Sequence, residues 1–263
     1  MKIRSALLLA LFLLSLPACG PTVTDYGCAD AVSALAQLRQ GLGEIPANLL
    51  TEPPVENGTE FDPNSYFTIF THLSMQAGYV LDFVYTYDWM GGYPTLYARK
   101  SDSQPFLSAA DVPPGMDTYL EHIVVEDSPE GYLEYVLLAS SAEQFYLSWH
   151  AGYNDRQIVC SSQALRTLVR TLAKTGFGNR IPIGEAVQAL AIPSIEPVIT
   201  SEGFTVTETG STHDRETISV QVLTFSRWGG FYRTTFTFNL TFPHTILDVQ
   251  QELLVPYDCG IMF

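Results

Sequence analysis

The sequence predicts an α+β fold with an antiparallel, β-rich body, and three observations predict it. Residues 79 to 99 and 218 to 242 each hold two runs of alternating apolar and polar side chains around a Gly-Gly pair, the period of half-buried strands in hairpins. Helical spacing of apolar residues is confined to short stretches near residues 29 to 42, 161 to 175 and 184 to 191. The 263 residues are 46% hydrophobic, 12% aromatic and 16% charged, a globular composition that excludes disorder and collagen.

In chain order, Val32, Leu35, Leu38 and Leu42 form one helical face, with Gly41 and Gly43 as the stop. Residues 44 to 65 carry Pro46, Pro53, Pro54, Pro63 and Gly58 among acids and read as an extended surface loop. The first hairpin follows, with Leu81, Phe83, Tyr85, Tyr87 and Trp89 on one face. A two-residue turn at Gly91-Gly92 pairs Met90 with Tyr93, which adds Leu96 and Ala98 to that face. Residues 119 to 126, 132 to 139, 143 to 150 and 157 to 160 read as further strands of a meander, with a turn at Ser128-Pro129-Glu130-Gly131.

Ser161 or Ser162 caps the next helix, in which Leu165, Leu168, Val169 and Leu172 share a face before Gly176. A shorter helix lies between Pro182 and Pro193, and a proline-punctuated linker marks a boundary there. In the second hairpin, pairing Trp228 with Phe231 across Gly229-Gly230 places Leu223, Phe225, Tyr232, Phe236, Phe238 and Leu240 together. Leu247, Val249, Leu253 and Val255 alternate as a last strand, although Ile246, Val249 and Leu253 also suit a helix. The division is thus an α+β domain over residues 28 to 192 and a β-rich region over 193 to 263, either a second lobe or packed with the first.

At the start of the chain, Lys2 and Arg4 precede an apolar run over residues 6 to 16, too short to span a bilayer core of about 30 Å as a helix. The following Leu16-Pro17-Ala18-Cys19-Gly20 resembles the lipobox of bacterial lipoproteins. That resemblance implies a signal peptide over residues 1 to 18, acylation of Cys19, a lipidated tether over 19 to 27, and an exported body held on a membrane by its lipid. Its localisation would be the cell envelope, on the outer membrane or the outer face of the cytoplasmic membrane. An ordinary secretory signal is the alternative, with Cys19 then free for a disulfide. If Cys19 is acylated, Cys28, Cys160 and Cys259 remain, so at most one internal bridge forms. The placing of Cys28 and Cys160, each just before a helix, favours that pair over Cys28 with Cys259; three buried thiols are the other option.

With 13 Lys+Arg against 28 Asp+Glu the net charge is −15, a poor match for nucleic acid or anionic headgroups. The chain carries no GxSxG, HExxH, GxxxxGKS or GxGxxG motif, no CxxC spacing and no DxDxDG loop, so neither metal nor cofactor is indicated. Scattered candidates remain. His150 with Asp155, around a Gly-containing turn, could serve as base and orienting group, against the plainer reading of an ordinary Asn-Asp turn. His72 in an apolar run reads as a satisfied core histidine. Asp82, Asp88, Glu121, Glu134 and Glu143 lie on expected strands, where paired carboxylates could serve glycoside chemistry, and Arg99 near Asp82 reads as a surface ion pair. Trp89, Tyr93, Trp228 and Phe231 at the hairpin tips suit amphipathic contacts. These features favour a module that binds a small molecule or a protein partner, with an extracytoplasmic hydrolase or an envelope-assembly component as alternatives.

Overall fold

The computed structural model describes residues 25–88, 91–116, 118–148, 156–174, 180–208 and 211–258. It is an α+β protein whose strands pair antiparallel throughout. Among the described residues no helix is long and apolar enough to cross a membrane.

Helix α1 (Cys28–Gly41) is tied by a disulfide from Cys28 to Cys160, at the far end of strand β5 (Arg156–Val159). The segment over residues 44 to 65 is not the open surface loop its prolines suggest, because Leu49, Glu56 and Phe61 are buried. It lies along the outer edge of the first hairpin, strands β2 (Tyr79–Asp88) and β3 (Gly91–Lys100), while short strands β1 (Leu73–Met75) and β4 (Ile123–Val125) pair with each other.

Residues 132 to 139, expected as a strand, belong instead to helix α2 (Pro129–Ser141). Ser128 caps it, its hydroxyl accepting the Gly131 N–H at 3.1 Å, with Pro129 in the first turn. Every residue over 131 to 138 is buried, Glu134 included, so the helix is enclosed on all sides and carries no amphipathic stripe for a periodicity to register. The cap itself is easily mistaken for a turn, since Ser-Pro-Glu-Gly suits both. Two neighbouring strand expectations shrink as well. Residues 119 to 122 form a 3-10 turn leading into β4, and of the stretch 143 to 148 only Ser148 makes a β-bridge, to Gly92.

Helices α3 (Ser162–Lys174) and α4 (Ile183–Leu190) follow β5, and then comes the long sheet. Strand β7 (Ser211–Ser226) carries β8 (Gly230–Asn239) and then β9 (Ile246–Pro256) on one edge. Its other edge is shared end to end by β5 and β6 (Val198–Glu208). Since β5 precedes and β7 follows the boundary expected near residue 193, one sheet runs across it.

Both hairpin registers depart from expectation. The first closes by pairing Asp88 with Gly91, which keeps Leu81, Phe83 and Tyr85 on one face with Leu96 and Ala98. Gly92 lies beneath Tyr85, where a Cβ would stand 2.5 Å from the hydroxyl. The second closes by pairing Ser226 with Gly230, and Phe225 faces Phe231. That odd shift exchanges the faces of β8 relative to β7. Ile218, Val220, Val222, Phe236 and Phe238 then point into a core with α2 and the first hairpin. Leu223, Phe225 and Phe231 point the opposite way, into a second core with Leu165, Val169 and Leu172 of α3. Strands β7 and β8 feed a core on each face of the sheet, while β9 is exposed along most of its length, and the register that fills both cores prevails because each buried Phe contributes ~1.5–3 kcal/mol.

Candidate functional site

The outer edges of the first hairpin are closed by side chains and, at Gly92, by a single β-bridge to Ser148, which solves the problem of exposed strand N–H and C=O groups. On the β2 side, Asn64 both donates to and accepts from Leu81, and Glu56 Oε1 accepts the Tyr85 N–H at 2.7 Å. On the β3 side, Glu143 Oε1 accepts the Leu96 N–H at 3.0 Å, and Gly92 and Ser148 exchange two backbone bonds of 2.8 Å. A cleft opens beside each edge.

The larger cleft, about 600 Å³, adjoins Glu143. Tyr93 and Thr95 of β3 form one wall, Ser140 and Gln144 at the end of α2 another, and Arg156 and Ser226, paired across β5 and β7, the third. Its size suits a small organic ligand. Gln144 donates through Nε2 to the Ser140 carbonyl at 2.9 Å, yet Gln144 Oε1 and Ser140 Oγ are buried with no hydrogen-bond partner among the described residues. An unsatisfied buried polar atom costs about 1–3 kcal/mol, so this wall stores free energy that a ligand carrying the right donors and acceptors recovers. Arg156 supplies positive charge and Glu143 negative. Tyr119 also lines the cleft, and its phenol is held protonated, far above its ordinary range, first by burial and then by the Glu143, Tyr66 and Tyr135 oxygens. The described lining holds no His, Cys or Lys.

The structure disperses the candidates that sequence brings forward. Tyr93, 41% exposed, stands on the rim of this cleft. Phe231, expected at a contact surface, is fully buried 4.8 Å from Phe225 and belongs to the second core, where Trp228 packs half-buried against it. Both follow from the register of the second hairpin, which turns Phe231 inward. Trp89, His150, Asp155, Cys19 and Cys259 lie outside the described residues.

Of the scattered acids and histidines, Glu134 is on α2, buried, and bonded to His72. Asp82 Oδ2 accepts from Arg99 Nε at 2.7 Å, in a pair only about a fifth exposed. His122 Nδ1 lies 2.8 Å from Gln76 Oε1, and its ring stacks on Tyr79. His244 is buried, and burial holds its imidazole below its ordinary pKa, which opposes protonation.

Ser140, Gln144 and Arg156 escape sequence reasoning because a serine and a glutamine at a helix end carry no motif, and only the fold brings β5 beside them. Comparison with protein-family models, with curated proteins and with solved structures finds no match.

Proposed function

We propose that the chain is a lipid-anchored, extracytoplasmic binding module whose ligand is a small polar molecule bearing an acidic group, held in the cleft between Tyr93 and Arg156. The anchor rests on the Leu-Pro-Ala-Cys lipobox at residues 16 to 19. The binding reading is carried by the buried, unpartnered Ser140 Oγ and Gln144 Oε1 in the wall of a cleft of about 600 Å³. Arg156 supports an acidic ligand: its guanidinium is a preorganised fork for carboxylate, and no hydrogen bond or ion pair ties it to another described residue. Tyr93 offers a ring face for the body of the ligand.

Calorimetric titration of the body with glucuronate, glucose and free amino acids tests this reading. An acidic probe binds, Arg156→Gln weakens it by more than about tenfold, the worth of one charge-assisted bond, and Tyr93→Ala weakens acidic and neutral probes alike. Equal affinity of glucose and glucuronate, unchanged in Arg156→Gln, overturns it. Mass spectrometry of the cell-derived protein reads the anchor directly: a diacylated N-terminal Cys19 supports it, and an unmodified Cys19 refutes it.

A further inference from the structure

The smaller cleft, on the β2 edge, is about 390 Å³ and lies between residues 56 to 64, strand β2 and the segment around residues 105 to 107. A backbone bond from the Glu56 N–H to the Leu107 carbonyl, 3.2 Å, ties its two loops together. Phe61, Phe83 and Phe106 give it apolar walls, and Glu56, Glu60, Asp82 and Arg99 give it charge.

Almost every carboxylate oxygen here already has work. Glu60 accepts the Asn57 and Gly58 N–H groups and the Asn48 amide. Asp62 accepts the Asn64 N–H, and Asp82 accepts from Phe83 and from Arg99. Glu56 differs. It is 9% exposed, one oxygen holds the Tyr85 N–H, and the other, Oε2, is buried with no partner. An acidic residue built into a cleft with one acceptor unused, among other carboxylates, calls for a donor that also brings positive charge. A hard divalent ion is a poor candidate, because it takes six or more oxygens, the carboxylate oxygens left without a hydrogen bond here are Glu56 Oε2 and Asp62 Oδ2, and no metal-binding group of acids gathers among the described residues. An ammonium group on an apolar stem meets both halves of the cleft, the oxygen and the phenyl walls.

We propose that this cleft binds a primary alkylammonium ion, with its N–H on Glu56 Oε2 and its carbon chain against Phe61, Phe83 and Phe106. Binding is coupled to a proton. Burial, together with the charges of Glu60 and Asp82, pushes the Glu56 carboxyl up to about 8 in spite of the Tyr85 N–H, so near neutrality the empty cleft holds a carboxylic acid. The groups facing it are Glu60 on its own loop, Asp82 on β2, and Tyr97 and Arg99 on β3. An ammonium prefers the carboxylate and expels that proton. Affinity therefore rises about tenfold per pH unit up to about 8 and is level above it.

The test is ligand-observed NMR titration of the intact body with n-butylammonium between about pH 6 and about pH 9, with Ca²⁺ and n-butanol as comparisons. Saturable butylammonium binding that tightens with pH and then levels, with butanol and Ca²⁺ at least about tenfold weaker, supports the site. Glu56→Gln, checked for an unchanged near-ultraviolet dichroism spectrum, loses the affinity and its pH dependence. Nα-acetyl-lysinamide run beside butylammonium tells an ammonium presented on a peptide from a free amine. Absence of butylammonium binding in the wild-type body, affinity independent of pH, or tighter binding of Ca²⁺ overturns the proposal, and none of these results touches the Arg156 cleft.

Discussion

His72 and Glu134 meet through two bonds: the His72 backbone N–H donates to Glu134 Oε2 at 2.7 Å, and the imidazole Nδ1 lies 2.9 Å from Glu134 Oε1. The carboxylate thus fixes both the entry to β1 and the ring beside it from the buried helix α2. The hydrogen bond to Glu134 raises the His72 pKa above its ordinary 6.5, with Glu126 and Glu130 adding to it against a smaller opposing effect of burial. The folded state therefore holds the proton more tightly than the unfolded chain. Stability from this pair is complete below 6.5 and is lost as pH rises through the raised value. His72 is a third exposed, so solvent screening limits the pair to about 1 kcal/mol or less. Thermal midpoints of wild type and His72→Gln, taken from about pH 5 to about pH 9, should differ most at the acid end and converge on the alkaline side. A gap that does not change with pH would sink the assignment.

Gly230 is the point on which the second hairpin turns. Its φ is +120°, and a Cβ there would stand 2.1 Å from the Val255 carbonyl oxygen and 2.7 Å from the Tyr257 nitrogen. Both obstacles are backbone, so the neighbouring β9 strand has to move. Gly230→Ala is expected to destabilise by about 2 kcal/mol or more in urea unfolding. Gly184, in the first turn of α4, meets nothing within 4 Å, and Gly184→Ala is expected to gain up to about 1 kcal/mol. Equal effects at the two positions would mean that the β8–β9 approach does not govern the register.

The Cys28–Cys160 disulfide joins positions 132 residues apart, and both sulfurs are in the first core. It holds α1, whose buried apolar contribution is confined to Cys28 and Leu35, against the end of β5. Replacing both cysteines with alanine should cost ~2–5 kcal/mol by denaturant unfolding. Amide exchange should quicken in α1 before it does in β7 and β8. A double variant as stable as wild type would show that packing alone seats α1.

Elements with one wet face were legible in the sequence. Helices α1, α3 and α4 and the first-hairpin strands β2 and β3 fall where their periodicity places them, because a period reports a boundary between core and solvent, whereas β6 and the first half of β7 are strands that no alternation announces. Helix α2 was illegible for the converse reason: Tyr132, Leu133, Tyr135, Val136 and Leu138 surround it with core. The same blindness moved the second hairpin, where Val220 and Leu223 are both fully buried on opposite faces and no alternation tells which face pairs with which. The two clefts were hidden more deeply. Glu56 and Glu143 matter because their carboxylates close strand edges formed 29 and 47 residues away in the chain, and nothing in the neighbouring sequence of either marks it. Of the residues singled out from sequence, Tyr93 and Glu143 stand at the first cleft and Asp82 and Arg99 at the second, brought there by the fold and not by any motif that marks them as a site.

Glu56 also makes the sharpest prediction about stability. Its carboxyl titrates at about 8 in the folded chain against 4.5 ordinarily, raised first by burial and then by Glu60 and Asp82, while the Tyr85 N–H works in the other direction. Because the folded state binds this proton more tightly, stability is greatest below 4.5 and declines as pH climbs from 4.5 through about 8, where the folded protein must accept a buried anion. Glu56→Gln keeps an oxygen for the Tyr85 N–H and removes the ionisation. Its unfolding midpoint should match wild type near about pH 4 and exceed it by a margin that widens up to about pH 9. Glu56→Ala, which abandons the Tyr85 N–H on the open edge of β2, should fall below wild type at acid pH instead. Were Glu56→Gln to track wild type across the whole range, the carboxyl would have to be solvated in solution, and the ammonium site built on its unused oxygen would lose its footing.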